Sequence, residues 1–401
     1  MRILVISQYF YPENFRINDL CYGLKEHGHD ITVLTGKPNY PKGKFFQDYG
    51  FFNKGFELIN GIQVYRSFII PRGNGSGFRL LINYLSFVFF GFFKLIMIRK
   101  KFERIFIYAP SPITVGYLGV FASFLFRAKP FLWVHDLWPE SVKDAGGINN
   151  KFILMLVNLM TKSIYLFYDN ILVQSPSFEV YMVKQGVNKD KICYYPYYAE
   201  KFYKIVNPEL KIKSMFPNGL NILFAGNIGV AQSFDTILHA AKRIRKKRDD
   251  INFIILGDGR DKERVIKKIS KMSLENSFHF LGTFPPEKMS DFFACADVLL
   301  VTLRKSKIFK LTIPGKLQSY LACGKPIIGS IDGIGSDIIR NSKSGYASES
   351  ENSELLANSI IRFANLSKKE KLEMGKNARK YFEKEFERNK LLLKLIDIFK
   401  A

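Results

Sequence analysis

A short apolar run, a loop, a helical stretch and another apolar run recur along nearly the whole chain, and the series is played twice. In the first half, residues 3–7, 30–35, 63–68, 104–108, 131–134 and 170–174 read as strands. Helical patterns at 18–27 (ending at Gly28), 113–126 and 151–168 fall between them. In the second half the strands are 221–224, 252–256, 278–281, 298–301 and 326–329, with helices at 233–247 and 261–271 among them. Such alternation specifies a mostly parallel sheet covered by helices on both faces. The reading is therefore two doubly wound parallel sheets in tandem, facing a cleft. Ligand chemistry is expected just outside the carboxyl ends of the strands. The aromatic loop Y-Y-P-Y-Y-A at 194–199 and the polar sequence to Gly219 look like a linker. This divides the chain into 1–198 and 199–368, with a final helix over 369–401 packing back on the first domain.

Four segments carry candidate chemistry. Residues 131–141 read F-L-W-V-H-D-L-W-P-E-S, a buried strand that stops at His135 and Asp136 before a Pro corner no strand continues through. A capped strand with Asp136 bonding local backbone is the plain alternative. After strand 221–224 comes A-G-N-I-G-V-A-Q, where Gly226 and Gly229 let backbone approach a phosphate at a helix N-terminus. After strand 252–256 comes G-D-G-R, with Asp258 and Arg260 on a tight turn. The strongest is T-I-P-G-K-L-Q-S-Y-L-A-C-G-K-P from Thr312. Pro314 suits a first helical turn, Gly315 leaves space, and Lys316 sits where a cation gains nothing from the helix dipole. An anion shared with that helix end explains Lys316 better than a solvated surface position does, and the Thr312 hydroxyl could add to it.

Sixty Lys and Arg against 36 Asp and Glu give a formal charge of +24 in 401 residues, an excess that attracts polyanions or an anionic membrane surface. The densest cluster, K-R-I-R-K-K-R at 242–248, reads as a solvated helix face. Zinc-finger spacing, an RRM signature and a KH loop are lacking, which argues against nucleic acid. Cys21, Cys193, Cys295 and Cys323 are scattered, as in a reduced cytosolic protein with neither a disulfide framework nor a zinc site. The N-terminal apolar run is too short for a signal peptide. Residues 80–98 read L-L-I-N-Y-L-S-F-V-F-F-G-F-F-K-L-I-M-I, borderline in length for a span of ~20 residues and interrupted by Lys94. On a helical projection Arg79, Asn83, Ser86, Lys94 and Lys101 share one narrow stripe. The expectation is an interfacial helix touching lipid through Phe87, Phe89, Phe90, Phe92 and Phe93, with Lys94 and R-K-K at 99–101 near anionic head groups. A buried domain helix is the alternative.

Taken together these loops resemble the GT-B glycosyltransferases of family 4, and within them the O-antigen and capsule branch typified by N-acetyl-L-fucosamine transferases. Q-Y-F-Y-P-E at 8–13, T-G-K-P-N-Y-P-K-G at 35–43, Y-L-S-F at 84–87, A-P-S-P at 109–112, A-G-N-I-G at 225–229 and P-G-K-L-Q-S-Y-L-A-C-G-K-P at 314–326 match that branch. The resemblance implies two Rossmann-like domains, a UDP-sugar donor held by the second, an acceptor held by the first, retention of configuration, and no cofactor or obligatory metal. It implies His135 facing the donor sugar and Lys316 neutralising the diphosphate. Gly226, Asn227, Gly229, Arg260, Thr312, Ile313, Pro314 and Gly315 then lie around the donor, Thr312 and Ile313 through backbone groups. Glu13, Asp136 and Glu140 are the acceptor-side candidates.

The chain departs from the family where many members carry Arg and Lys in the first glycine loop; here Asn227 and Gln232 stand instead. The family's two donor glutamates fall at Leu311 and Ser319, so a covalent glycosyl-enzyme at Leu311 is disfavoured. The activity implied is transfer of N-acetyl-L-fucosamine, or a related N-acetylated deoxysugar, to a polyprenyl-diphosphate-linked saccharide during assembly of bacterial O-antigen, capsule or lipopolysaccharide. The place implied is the cytoplasmic face of the plasma membrane, with peripheral or monotopic attachment. A transferase to a soluble acceptor, a GT-B epimerase and, remotely, a basic nucleic-acid-binding protein are the alternatives.

Overall fold

Strands whose residues are apolar at every position are buried on both faces, so each must sit between two layers of helices. The computed structural model, which describes residues 1–144 and 147–401, builds two such units: residues 1–196 with 391–401, and residues 197–390.

The first unit has eight strands: β1 (Arg2–Ser7), β2 (Asp30–Gly36), β3 (Phe56–Ile59), β4 (Ile62–Ser67), β5 (Arg104–Ala109), β6 (Lys129–Val134), β7 (Ile171–Val173) and β8 (Ile192–Tyr194). Their order is β3-β4-β2-β1-β5-β6-β7-β8, parallel apart from the β3–β4 hairpin. The helices are α1 (Arg16–Glu26), α2 (Gly77–Ile96), α3 (Val115–Phe126), α4 (Glu140–Asp144), α5 (Lys151–Leu166) and α6 (Pro176–Lys184). The order reverses between β1 and β5. That point opens a crevice at the carboxyl edge, and Gln8, Lys37 and His135 all leave the sheet along that edge.

The second unit is wholly parallel. Its strands are β9 (Leu220–Ala225), β10 (Ile251–Leu256), β11 (Phe278–Gly282), β12 (Val298–Thr302), β13 (Ile327–Ser330) and β14 (Gly345–Ser348), ordered β11-β10-β9-β12-β13-β14. Alternate residues of β9 feed two separate cores: Ile222 and Phe224 join one layer, Leu223 and Ala225 the other. The helices are α7 (Leu210–Lys213), α8 (Phe234–Arg245), α9 (Lys262–Lys271), α10 (Met289–Cys295), α11 (Lys307–Leu311), α12 (Gly315–Ala322), α13 (Ile334–Asn341), α14 (Ser353–Ala364), α15 (Lys368–Glu385) and α16 (Arg388–Lys400). Here the reversal falls between β9 and β12.

One expectation is corrected. The single final helix over 369–401 is two, α15 and α16, because Phe386 turns into the core and the Glu387 carboxylate caps the N–H groups of Asn389 and Lys390 at 3.0 and 2.7 Å. The end of α16 belongs to the first unit, where Phe399 packs on Phe106 and Phe131 at 5.6 and 5.0 Å. The stretch 194–199 does hold the division between the two units, after Pro196, and it is ordered: residues 192–194 form β8 and Tyr195, Tyr198 and Ala199 are buried.

Candidate functional site

In the second unit the neighbouring parallel strands β9 and β10 end in two glycine turns set back to back. Gly226 follows β9 with φ 133° and Gly257 follows β10 with φ 136°, conformations that L side chains rarely adopt. A Cβ at Gly257 would lie 1.9 Å from the Gly226 carbonyl oxygen, so the turns can nest only as glycines. The Gly226 N–H donates to the Leu256 carbonyl at 2.8 Å and the Ile228 N–H to the Asp258 carbonyl at 2.8 Å, which locks the pair.

Lys316, in the first turn of α12, reaches into this corner. A Cβ on Gly226 would stand 2.7 Å from its Cε and 3.0 Å from Nζ. The ammonium lies 3.6 Å from the Phe224 ring centroid and is buried with no hydrogen-bond partner among the described residues. Burial alone pulls its pKa down to about 7. Tyr320, one turn along α12, fixes the helix to the sheet: its hydroxyl accepts the Ala225 N–H at 3.2 Å and donates to the Leu300 carbonyl at 3.4 Å. An ammonium that meets no acceptor among the described residues, set beside the start of α12 and two glycine turns, is an arrangement able to take up a multiply charged anion.

The other donor-side candidates are placed around that point with unequal promise. Asn227 and Arg260 are exposed on the two turns and Gly229 begins the next one. The Thr312 hydroxyl is spent on the Ile308 carbonyl at 2.9 Å, and the Ile313 side chain is buried in the core, leaving only backbone at either residue. Pro314 caps α12 and Gly315 opens it, beside half-buried Leu311 and buried Ser319. The sequence reading passed over Arg304, just beyond β12. Its N–H donates to the Ala231 carbonyl at 2.9 Å, and it lines a cavity of about 380 Å³ with Ser233, Thr236, His239 and Glu351. Its distance from a strand end was the available signal.

In the first unit His135 is buried at the end of β6, its ring 4.1 Å from Trp133 and 4.7 Å from Tyr108. Burial, helped by the Arg16 charge, holds its pKa well below the usual imidazole range, so it is neutral at pH 7. Trp133 is pinned by its indole N–H to the Tyr195 carbonyl at 3.0 Å. Asp136 follows, its carboxyl pushed up to about 7 by burial. Glu140 opens α4 beside the phenols of Tyr165 and Tyr181. Glu13 is a correction: it is buried, and Oε1 accepts the N–H groups of Asn39 and Tyr40 at 2.8 and 2.7 Å. It positions the loop after β2 rather than offering a free carboxylate. Beside it Tyr9, Phe15 and Tyr40 form an aromatic cluster, Tyr9 and Phe15 stacked at 4.5 Å.

Helix α2 presents one face to the protein and one to solvent. By length and composition it could cross a membrane, but its polar stripe points inward. Asn83 accepts from Gln8 at 2.7 Å and donates to the Ile70 carbonyl at 2.6 Å, while the Ser86 hydroxyl accepts the Ile70 N–H at 2.9 Å. Phe87 is fully buried, 3.5 Å from where a Cβ on Gly36 would stand, and is removed from the membrane-facing set. Phe89, Phe92 and Phe93 are exposed; Phe90 and Lys94 are half-buried. Lys101 lies beyond the helix end, outside the stripe.

This fold is GT-B. Residues 208–381 match the family model Glycosyl transferases group 1, and the chain is a glycosyltransferase. It is 24% identical over 339 residues, 81% of this chain and 82% of the relative, to WcaI of Escherichia coli (strain K12), provisionally assigned as a colanic acid biosynthesis glycosyl transferase. It is 24% identical over 368 residues, 86% of this chain and 84% of the other, to alpha-monoglucosyldiacylglycerol synthase of Acholeplasma laidlawii. Among solved structures it resembles sucrose-phosphate synthase from Thermosynechococcus elongatus at TM-score 0.78, with 17% identity over 100% of this chain and 98% of that one. Anabaena HepE in complex with UDP and glucose superposes at TM-score 0.70, with 14% identity over 100% and 99%.

Proposed function

We propose that this glycosyltransferase moves a sugar from a UDP-sugar to a saccharide carried on a polyprenyl diphosphate, in the assembly of a bacterial surface polysaccharide. The observation that carries the donor half is the buried, unpartnered Lys316 ammonium set against the nested glycine turns. The leaving group is then a nucleotide diphosphate, and most catalysis is electrostatic. Lys316 and the first N–H groups of α12 stabilise charge as it grows on the departing phosphate. UDP is favoured over GDP by the branch resemblance and by the UDP bound in HepE. N-acetyl-L-fucosamine, or a related N-acetylated deoxysugar, is the donor sugar the branch resemblance favours. With Leu311 in place of a carboxylate, retention is proposed to run by front-face attack, the departing phosphate taking the acceptor's proton. Neutral His135 and Asp136 serve the reacting sugars, and no metal or cofactor is assigned.

The acceptor half draws on WcaI and the glycolipid synthase as relatives and on the exposed aromatic face of α2. It places the enzyme as a peripheral or monotopic protein on the cytoplasmic face of the plasma membrane. Calorimetric titration with UDP, GDP and a short single-stranded oligonucleotide at two salt concentrations tests the reading. Saturable one-to-one UDP binding that survives higher salt is expected. Oligonucleotide binding that collapses with salt, with no nucleotide binding, would refute it.

A further inference from the structure

Lys37 leaves the carboxyl end of β2 and is 2% exposed, yet among the described residues its Nζ meets no hydrogen-bond acceptor. A lysine buried for structural reasons normally reaches a carboxylate or a carbonyl, because an isolated charge is costly away from water. Its surroundings sharpen the anomaly. Besides burial, the charges of Arg66 and Lys94 disfavour its ammonium, and Glu57 is the acid that acts the other way. Glu57 is already committed, to Arg66 Nε and to the Tyr49 hydroxyl at 3.1 Å. Arg66 spends its other N–H groups on the Gly36 and Tyr11 carbonyls. Lys94 comes to the same corner from α2: its Nζ would lie 3.4 Å from a Cβ on Gly55, whose carbonyl takes the Arg66 N–H at 3.0 Å. With Glu57 held by Arg66, the Lys37 ammonium meets no acceptor among the described residues, and the Lys94 ammonium adds a second positive charge to the same corner.

A chain of touching aromatic rings runs beside this corner. It passes from Phe52 to Phe51, Phe68, Phe90, Phe89 and Phe93, with successive centroids 4.7, 4.2, 5.0, 5.2 and 5.2 Å apart. Phe52 is 90% exposed and Phe89 60%. An anion receptor and an exposed apolar track therefore meet at one edge of the first unit.

We propose that this corner binds the phosphate or diphosphate end of an isoprenoid-type amphiphile, Lys37 and Lys94 neutralising the anion and the aromatic track covering the start of its tail. A compact ammonium out of water gains most from such a partner. The proposal rests on the lipid-linked acceptor reading above and gives that acceptor its anchoring residues.

The test titrates the full chain, wild type and Lys37→Met, with farnesyl diphosphate, inorganic diphosphate, farnesol and UDP. Saturable farnesyl diphosphate binding is expected, weakened roughly ten- to a hundredfold by Lys37→Met, with UDP affinity and thermal midpoint preserved. Phe51→Ser with Phe52→Ser should weaken farnesyl diphosphate and leave inorganic diphosphate unchanged. Farnesyl diphosphate binding indifferent to Lys37→Met overturns the site. Inorganic diphosphate binding as tightly as the farnesyl ester, and equally dependent on Lys37, overturns the tail and leaves a free-anion site. Loss of UDP binding together with farnesyl diphosphate in Lys37→Met means a misfolded variant, and Lys37→Arg, expected to restore both, then decides: failure to restore farnesyl diphosphate overturns the site. A wild type that binds farnesyl diphosphate but not UDP sinks the glycosyl-donor reading and leaves this site standing.

Discussion

Replacing Lys316 with Met should make the empty protein more stable and unable to hold a nucleotide diphosphate. The ammonium is buried over the Phe224 ring and has a pKa drawn from 10.5 to about 7 by burial. At ~1.36 kcal/mol for each tenfold change, charging it in the empty protein costs up to about 5 kcal/mol, less the ~0.5–2 kcal/mol returned by the ring. The folded value lies below the unfolded one. The penalty is therefore complete below about pH 7, shrinks as pH rises toward 10.5, and is absent above that. Met keeps the length and drops the charge, so melting curves at pH 6.5 should show a midpoint at least a few degrees above wild type, the gap closing toward pH 10. Binding moves the other way. A diphosphate restores the charged form, so UDP binding between pH 7 and 10 should take up as much as one proton, and affinity should fall with rising pH by at most tenfold per unit. Calorimetry in two buffers of different ionisation enthalpy measures that proton directly. UDP binding without proton uptake in that window, or unchanged UDP affinity in Lys316→Met, would refute the assignment.

Three further outcomes follow from the geometry. Gly257→Ala should abolish UDP binding and lower the thermal midpoint, because its Cβ would fall 1.9 Å from the Gly226 carbonyl at a φ of 136°; a variant that binds UDP normally would show that the turns do not nest. Asp136, raised to about 7, becomes a carboxylate only above that pH. Hence kcat at saturating donor, which holds Lys316 charged, should climb through pH 7 in the wild type and stay low and flat in Asp136→Asn, and an unchanged profile would remove Asp136 from the reaction. On anionic liposomes high salt should release the protein only in part, since apolar insertion survives screening; Phe89→Ser with Phe93→Ser should make release complete, and full release of the wild type by salt alone would remove insertion.

The parallel sheets were legible because buried strands between helical layers have no polar face to obscure them. What escaped was mostly edge structure. The β3–β4 hairpin is encoded by F-E-L-I-N-G-I-Q-V, an Asn-Gly turn between two strand-like runs, with Asn60 and Gly61 at φ 50° and 72°. Strand β8 hides in three residues of an aromatic run that otherwise reads as a linker. Lys316 could be found because a cation in a first helical turn contradicts the helix dipole. Lys37 could not, since T-G-K-P-N-Y carries no sign that its lysine is buried or that Glu57 is already paired elsewhere. Helix α2 shows the limit of a helical projection. It groups Asn83 and Ser86 correctly, but only the partners Gln8 and Ile70 decide that the polar stripe faces the protein and the phenylalanines face out.

A chain with a +24 balance offers anions dozens of exposed charges, yet the two candidate phosphate positions are lysines whose charge the empty protein suppresses. Exposed ammonium groups are hydrated and screened, and each is worth little to a bound phosphate. Lys37 and Lys316 have already lost their water, so a diphosphate that reaches either meets an unsatisfied donor in a low dielectric. The surface excess can then gather anionic substrates or an anionic bilayer without choosing among them, and the choosing falls to the buried pair. The separation is measurable. Neutralising surface charge at 242–248 should alter liposome attachment and its salt dependence while leaving the dissociation constants for UDP and farnesyl diphosphate unchanged. Lys316→Met should abolish UDP binding, Lys37→Met should weaken farnesyl diphosphate roughly ten- to a hundredfold, and both should spare attachment. If the surface variant instead lost both ligands, selection would reside in the overall field, and the buried lysines would be bystanders.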